Sequence, residues 1–186
     1  GDYYVCFVLP ADYIFTVGGQ GTSEGVDSDA DEVSGCADIF SLSSGETNLS
    51  VDAGIYQVGS IGDRIWFDGN GDGIQDAGDT NNIGGVKVSL VNANNYIVVA
   101  TDTTDAAGIY SFDDVRAGRY FVRFDLNGVT TNVVITLADQ GADAIDSDGS
   151  AGQVGGFVET AAFVLSSGQT NLTVDLGITY AGASRA

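Results

Sequence analysis

The sequence contains no histidine, and only six of its 186 residues are lysine or arginine. The absence of histidine removes the usual general base of serine and cysteine catalysis, and no glycine loop of the phosphate-binding type is present. Paired carboxylates are also used for glycoside hydrolysis, but the aspartates of this chain have the spacing of metal ligands. The sequence therefore predicts a protein that is not an enzyme.

Positive charge is so scarce that 26 aspartates and glutamates give the chain a net charge of −20. Nucleic acid and anionic membranes would be repelled by this charge, so neither is expected as a partner. No apolar run approaches the roughly 20 residues that span a bilayer, so membrane insertion is not expected either. Gly1 is neither a start methionine nor part of a signal peptide, which leads us to expect natural sequence upstream of it.

Cysteine is limited to Cys6 and Cys36. One interpretation is a disulfide formed in an oxidising extracellular compartment, where it would add about 3 kcal/mol to stability. The alternative is a pair of unrelated buried thiols. The remaining features of the chain also suggest a secreted protein, so we expect a disulfide on the surface of its strands.

Proline occurs once and methionine not at all, whereas glycine occurs 27 times among many β-branched and aromatic residues. This composition is typical of short strands joined by turns. Alternating apolar residues predict seven or eight strands and no helix. The expected fold is all-β, a prealbumin-like (Ig-like Greek-key) β-sandwich. The predicted strands include 61–67, 86–90, 96–101, 109–112, 120–124, 132–137, 157–165 and 171–178.

An internal repeat organises the chain. Residues 43–55 return as residues 166–178 with only three differences, and the likeness extends back to residues 1–7 and 118–124. The part of the second copy before Gly118 has no counterpart in the first. We therefore predict tandem repeat units: residues 1–57 as the C-terminal half of one repeat, 58–180 as a complete repeat, and 181–186 as a tail.

A twelve-residue acidic segment, 68–79, follows the first predicted strand of the complete repeat. Its oxygen-bearing side chains and Gly73 fit a calcium loop at positions 1, 3, 5, 6 and 12. The last position is an aspartate, one methylene shorter than the usual glutamate, so a neighbouring aspartate is an alternative ligand. The candidate ligands of this loop are Asp68, Asn70, Asp72, the Ile74 carbonyl, Asp76 and Asp79.

A second acidic cluster recurs in both copies, each time with a later Val-Asp-x-Gly sequence. Aspartates this close together repel one another unless a cation or water separates them. Calcium is the favoured explanation, and a solvent-exposed cluster of Asx turns is the alternative. The candidate ligands are Asp146, Asp148 and Asp175 in the complete repeat and Asp27, Asp29, Asp31 and Asp52 in the half repeat.

These motifs, in this order, resemble the B-type repeat of serine-aspartate adhesins, the SdrD B-like domain of the wider Cna B-like group. The likeness is carried by Ile61–Asp68 with the segment that follows it, Gly85–Leu90, Thr104–Phe112, Asp146–Asp148 and Val174–Gly177. It implies a prealbumin-like sandwich that binds several calcium ions and becomes rigid as part of a stalk on a bacterial surface.

The function expected from sequence and resemblance together is an extracellular, calcium-stabilised structural module of a stalk or fibre. One alternative is a self-assembling filament subunit, in which a neighbouring chain supplies the strands that the half repeat lacks. Another is a binding domain for a host or matrix ligand. The expected partners are thus neighbouring repeats, copies of the chain itself, or such a ligand.

Overall fold

A computed structural model describes residues 1–20, 22–23, 25–79, 81–129, 133–149 and 156–181. Residues 182–186, which make up most of the predicted tail at 181–186, lie outside the described residues. The described residues form strands and turns without a helix, so none of them belongs to a helix long and apolar enough to cross a membrane. The chain divides into two compact units, Gly1–Val58 and Gly59–Ala186.

The second unit is a β-sandwich, which confirms the predicted fold class. Its strands are β5 Gly59–Phe67, β6 Lys87–Asn92, β7 Val98–Thr103, β8 Ile109–Val115, β9 Gly118–Asp125, β10 Val133–Ile135, β11 Phe157–Glu159, β12 Phe163–Leu165, β13 Thr170–Asn171 and β14 Leu176–Tyr180. In one sheet, β5 lies between β8 on one side and β14 and β13 on the other, and β10 pairs with β14. In the other sheet, β9 pairs with β11, β12 and β6, and β7 pairs with β6.

The core of this unit lies between the two sheets and follows the alternation of the strands. On β9, the inward residues Tyr120, Val122 and Phe124 are almost completely buried. They belong to one apolar cluster with Ile61 of β5 and Leu176 of β14. Burying both inner faces in this way is the main source of stability for a sandwich.

Two of the predicted strands are interrupted. The predicted 157–165 strand is divided into β11 and β12 at Thr160. There the Thr160 hydroxyl, rather than a backbone carbonyl of this strand, accepts a hydrogen bond from Val122 N (3.1 Å). The 171–178 strand is divided because Asn171 forms an Asx turn with Thr173 N (3.1 Å). Both interruptions depend on polar side chains that compete with the ladder for backbone groups.

The first unit contains two short strand pairs. β1 (Asp2–Tyr3) pairs with β3 (Phe40–Ser41), and β2 (Ile14–Phe15) pairs with β4 (Ile55–Tyr56). These pairs correspond in sequence and register to β9 with β12 and β10 with β14 of the second unit. A disulfide joins Cys6 to Cys36 beside the first pair.

Candidate metal centre

The loop after β5 is organised by the buried carboxylate of Asp68. One of its oxygens accepts from Gly71 N (2.6 Å), and the other accepts from Gly73 N (2.8 Å) and from the Thr136 hydroxyl. Both glycines have positive φ, and a Cβ on Gly73 would collide with the Leu137 carbonyl. The first position of the loop thus directs the backbone inward, and Gly73 permits the turn.

The next alternating positions turn their polar groups toward one another. The Asn70 amide nitrogen donates to Asp72 Oδ2 (2.8 Å), and Ile74 N donates to Asp72 Oδ1 (2.9 Å). The positive end of the Asn70 amide therefore lies against a carboxylate, which is where a cation is favoured. A rotation of this amide would present its oxygen as a further ligand.

The end of the loop is closed by the last two aspartates. Asp79 accepts from Gly69 N (2.9 Å) and Asp76 N (3.1 Å), one bond to each carboxylate oxygen. Asp76 in turn accepts from Gly78 N (2.6 Å). Asp79 thereby joins the two ends of the loop, and Asp76 remains exposed beside it.

In the structure this loop lies against the second acidic cluster, although the sequence indicates two separate sites. Gln75 N donates to Ile145 O (2.7 Å), and Ser147 N donates to Gly73 O (3.2 Å). Asp146 lies between these two bonds, is 4% exposed, and accepts from Gly141 N (2.9 Å). The two groups of candidate ligands therefore form one acidic region at the end of β5.

Asp148 and Asp175 form the deeper part of this region. Asp175 N donates to Asp148 Oδ2 (2.6 Å), and Asp175 Oδ1 accepts from Arg64 N (3.2 Å). The second oxygen of Asp175 is buried and has no hydrogen-bond partner, although the residue is only 1% exposed. A buried carboxylate oxygen without a partner is costly unless it is protonated or bound to a cation.

The electrostatics of this pair reflect that cost. The pKa of Asp175 is raised to about 8, chiefly by burial and also by the charges of Asp63 and Asp148, against the lowering effect of the Arg64 backbone bond. Burial likewise raises the pKa of Asp148 to about 7, with Asp143 and other nearby carboxylates contributing. A divalent cation at these oxygens would favour the ionised forms and offset their repulsion.

The first unit repeats the same backbone arrangement. Asp52 N donates to Asp29 Oδ2 (2.9 Å), as Asp175 N does to Asp148. Asp31 instead closes a local turn by accepting from Ser34 N (2.8 Å). A cavity of about 540 Å³ lies beside them, and its charged lining residues are Asp27, Asp29, Asp31, Glu32 and Asp38; Asp52 is not among them.

Among the described residues, no three Asp, Glu, His or Cys side chains are grouped closely enough to hold a metal ion as they stand. The chemistry of the donors nevertheless fits a hard cation, because carboxylate, amide and carbonyl oxygens are the ligands that calcium prefers. The unpartnered oxygen of Asp175 supplies a position where such a ligand bond would replace an unmet one. The donors of the candidate region thus fit calcium.

Sequence reasoning missed three polar residues of these regions. Asp63 raises the pKa of Asp175, Thr136 binds Asp68, and Asp38 lines the cavity of the first unit. Asp63 lies on β5, five residues before Asp68. It belongs to the Ile61–Asp68 motif, but nothing in that motif indicates that its side chain acts on an acidic cluster. Thr136 follows β10, far from Asp68 in sequence, and has no sequence signal.

Comparison with known proteins identifies related chains. The sequence profile described as the SdrD B-like domain matches residues 1–55 and 59–178. A fibrinogen-binding protein of Staphylococcus epidermidis is 35% identical over 79% of this chain and 13% of its own length. Serine-aspartate repeat-containing protein D of Staphylococcus aureus (strain Newman) is 39% identical over 75% and 12%, respectively. Protein F of S. epidermidis is 34% identical over 95% and 10%. The chain thus spans about a tenth of these relatives.

Proposed function

Because the chain belongs to the SdrD B-like domain family, we propose that it is a calcium-stabilised structural module in a rigid stalk or fibre on a bacterial surface. Domains of this family are repeats of staphylococcal surface adhesins and are not enzymes. The predicted family, the extracellular location at the cell surface and the absence of enzymatic activity are therefore confirmed.

The observation that carries the calcium proposal is the buried oxygen of Asp175, which has no hydrogen-bond partner. The charges of Asp63 and Asp148 add to the effect of burial in raising the pKa of Asp175, so ionising all three carboxylates is costly. The net charge of −20 on the whole chain adds to this cost. Binding of a divalent cation would offset both terms.

Two groups of residues in the second unit would hold the ions. The first group consists of Asp68, Asn70, Asp72 and the Ile74 carbonyl, closed by Asp76 or Asp79. The second consists of Asp146, Asp148 and Asp175. The backbone bonds of Gln75 and Ser147 already connect the two segments, so bound ions would lock the loop after β5 to the 145–148 segment. In the first unit, Asp27, Asp29, Asp31 and Asp52 would hold an equivalent ion.

Thermal unfolding with and without calcium tests this function. Trp66 is the only tryptophan and is fully buried in the second unit, so its fluorescence reports on that unit. At a calcium concentration ten times the dissociation constant, each occupied site adds about 1.4 kcal/mol. We expect a melting temperature that is higher in calcium than in a chelator. Equal melting temperatures would overturn the calcium role.

A pair of double variants makes the test specific. Asp68→Ala with Asp72→Ala should lower the number of bound calcium ions measured by titration calorimetry. Asp113→Ala with Asp125→Ala removes the same charge outside both acidic clusters and should leave that number unchanged. If both double variants bind as many ions as the unmodified chain, the Asp68–Asp79 loop is not a calcium site.

A second candidate function is assembly through the first unit, and it rests on exposed apolar side chains. Tyr3 and Val5 are 54% and 37% exposed, whereas their counterparts Tyr120 and Val122 are 5% and 0% exposed. In the second unit the opposing sheet, with β5 and β14, covers these positions. Strands equivalent to β5 and β6, from a neighbouring repeat or a second copy, would cover them in the first unit. Between copies, this contact is not closed and would produce filaments.

Light scattering and electron microscopy in millimolar calcium test the assembly role. The expected result is growth of the scattering species with concentration and loss of that growth in Val5→Asp. Val8→Asp is the matched control, because Val8 is already 94% exposed. A monomer at all concentrations with its first unit protected from hydrogen exchange would contradict assembly between copies.

A further inference from the structure

Two neighbouring strands of the second unit have unpaired edges in the described part of the chain. β7 pairs only with β6, and β8 pairs only with β5. Ser111 N on β8 donates to the Asp102 carboxylate on β7 (2.9 Å), so both edges lie on the same side of the sandwich. This side therefore offers backbone donors and acceptors to an added strand.

Apart from one bulge at Val99, the edge of β7 has few of the features that usually block strand addition. Residues 96–99 are four consecutive apolar residues, all at least 45% exposed. Residues 96–103 contain no proline, lysine or arginine, and their one charged side chain, Asp102, is bonded to Ser111 N. These apolar residues lead into β7 and begin it, and an exposed apolar edge favours pairing with another strand.

A cavity of about 320 Å³ opens next to this edge. Its apolar wall includes Leu90, Val99, Ala100, Val115 and Tyr120. The bulge between β6 and β7 at Leu90 and Val91 inserts Val99 as the extra residue of β7, next to Ala100. Asp113, Asp114 and Arg116 complete the lining, so two carboxylates and one guanidinium contribute charge.

We propose that the β7 edge and this cavity form a docking site for an extended segment of a protein partner that alternates apolar and basic residues. The backbone of the segment would pair with β7, one apolar side chain would enter the cavity, and flanking lysines or arginines would face Asp113 and Asp114. Charge selects this occupant over a second copy, because the six lysines and arginines of this chain include no two that stand two positions apart, as an alternating segment requires. The inference goes beyond the structural role and does not depend on it.

The test uses the full chain in millimolar calcium and a ten-residue peptide that alternates valine or leucine with lysine or arginine. At peptide concentrations up to about 1 mM, we expect amide shifts in NMR spectra confined to residues 96–103 and 109–116. Binding should weaken as salt rises. A peptide with proline at alternate positions and one with glutamate in place of its basic residues should not bind.

Protein variants separate this site from general charge attraction. Val99→Lys should weaken binding at least about tenfold, because it places a like charge at the cavity. Val164→Lys changes charge equally at another exposed valine of this unit and should leave the affinity unchanged. Asp113→Asn with Asp114→Asn should weaken binding and reduce its salt dependence, and asparagine tolerates the positive φ of Asp114. Trp66 fluorescence verifies that each variant is folded.

Three results would overturn the proposal. The first is the absence of shifts at the highest peptide concentration. The second is equal weakening by Val99→Lys and Val164→Lys, which would reduce the attraction to net charge. The third is a dimer of the unmodified chain that Val99→Lys converts to a monomer, which would assign the edge to a second copy.

Discussion

The acidic clusters of the two units share several hydrogen bonds but differ in their surroundings. Ser28 Oγ accepts from Gly54 N (3.2 Å), and Ser147 Oγ accepts from Gly177 N (3.0 Å). In the second unit, Arg64 N on β5 also donates to Asp175 Oδ1 (3.2 Å), whereas the described residues of the first unit form no strand equivalent to β5. The Asp-Ser-Asp sequence thus fixes the local backbone, and the opposing strand determines how deeply the carboxylate is buried.

The apolar residues show the same division. The repeated sequence gives both units an alternating apolar segment, 3–7 in one and 120–124 in the other. Among the described residues, a sheet lies opposite this segment in the second unit alone, and there its residues join the core cluster. Strand patterning therefore encodes which face is apolar, but burial requires the strands β5 to β8.

One position differs in chemistry rather than in burial. In the second unit Arg123 and Glu159 are cross-strand partners that form an ion pair (2.7 Å). In the first unit the corresponding partners are Cys6 and Cys36, joined by a disulfide. The same point of the ladder is thus fixed covalently in the unit with little core and electrostatically in the unit with a full core.

The largest expected difference between the units is the cost of removing a core aromatic residue. Phe124→Ala should destabilise the second unit by about 3–5 kcal/mol, because its ring is fully buried. Phe7→Ala, at the corresponding and less buried position, should cost the first unit much less. Urea unfolding followed by Trp66 fluorescence measures the first variant, and hydrogen exchange of residues 1–58 measures the second.

Comparable losses from the two variants would show that the first unit has its core covered in solution. That result would contradict the difference in burial between the two units and would support completion of the first unit by another repeat or another copy. Phe124→Leu serves as a control in which an apolar side chain is kept and a smaller loss is expected.

The disulfide should be the next largest contribution, and it should act on one unit alone. Cys6 and Cys36 are 30 residues apart, and a bond closing a loop of this size contributes about 3.6 kcal/mol on the chain-entropy description. Cys6→Ser with Cys36→Ser should therefore increase hydrogen exchange throughout residues 1–58. The Trp66 transition of the second unit should stay where it is, and an equal shift of that transition would contradict the separation of the two units.

A smaller effect is expected from pH in the presence of a chelator. The pKa values of Asp148 and Asp175, about 7 and about 8, are raised above the ordinary 3.8 by burial. Between pH 4 and 8 the folded second unit thus holds more protons than the unfolded chain, so its free energy of unfolding falls as pH rises. Melting of Trp66 fluorescence across this window measures the fall.

Asp175→Asn should flatten this pH dependence, because asparagine does not ionise. Asp113→Asn removes an exposed carboxyl of the same unit and should leave the dependence largely intact. A slope that is the same in all three proteins would show that the buried pair does not control the pH response. Calcium should reduce the slope in the unmodified protein, since a bound cation favours the ionised carboxylates.

The fold was largely predictable because its information is local. Period-two alternation marked the strands of the second unit, and the Asp-x-Asn-x-Asp-Gly spacing marked the loop at Asp68, whose Asx-type bonds the structure contains. The interruptions at Thr160 and Asn171 were not predictable, because they depend on whether a backbone N–H bonds to a polar side chain or to a carbonyl of the neighbouring strand.

The deeper part of the candidate site was less predictable. Asp68 and Asp146 are far apart in sequence, and their segments are brought together by the pairing of Ile74 with Asp146 and by the neighbouring backbone hydrogen bonds. The raised pKa of Asp175 depends on burial beneath β5 and on Asp63, neither of which follows from the Asp-Ser-Asp pattern. Long-range pairing and burial are properties of the assembled sheets, so a linear pattern indicates the ligands without their electrostatics.

The smallest expected effect concerns the ion pair that stands where the other unit has its disulfide. Arg123 and Glu159 are about one-third exposed, so their coupling should be about 0.2–1 kcal/mol and should weaken in high salt. Glu159→Gln isolates this term, whereas Arg123→Ala also removes the guanidinium from above the rings of Phe121 (5.7 Å) and Phe157 (6.0 Å). Arg123→Ala should therefore cost more than Glu159→Gln, and the excess should persist in 1 M salt, where the Debye length is about 3 Å. A double-mutant cycle read by Trp66 fluorescence in urea separates the two contributions. If Glu159→Gln alone costs as much as Arg123→Ala, the ion pair rather than the ring contacts fixes this point of the ladder, and the two units would differ there only in whether the bond is covalent.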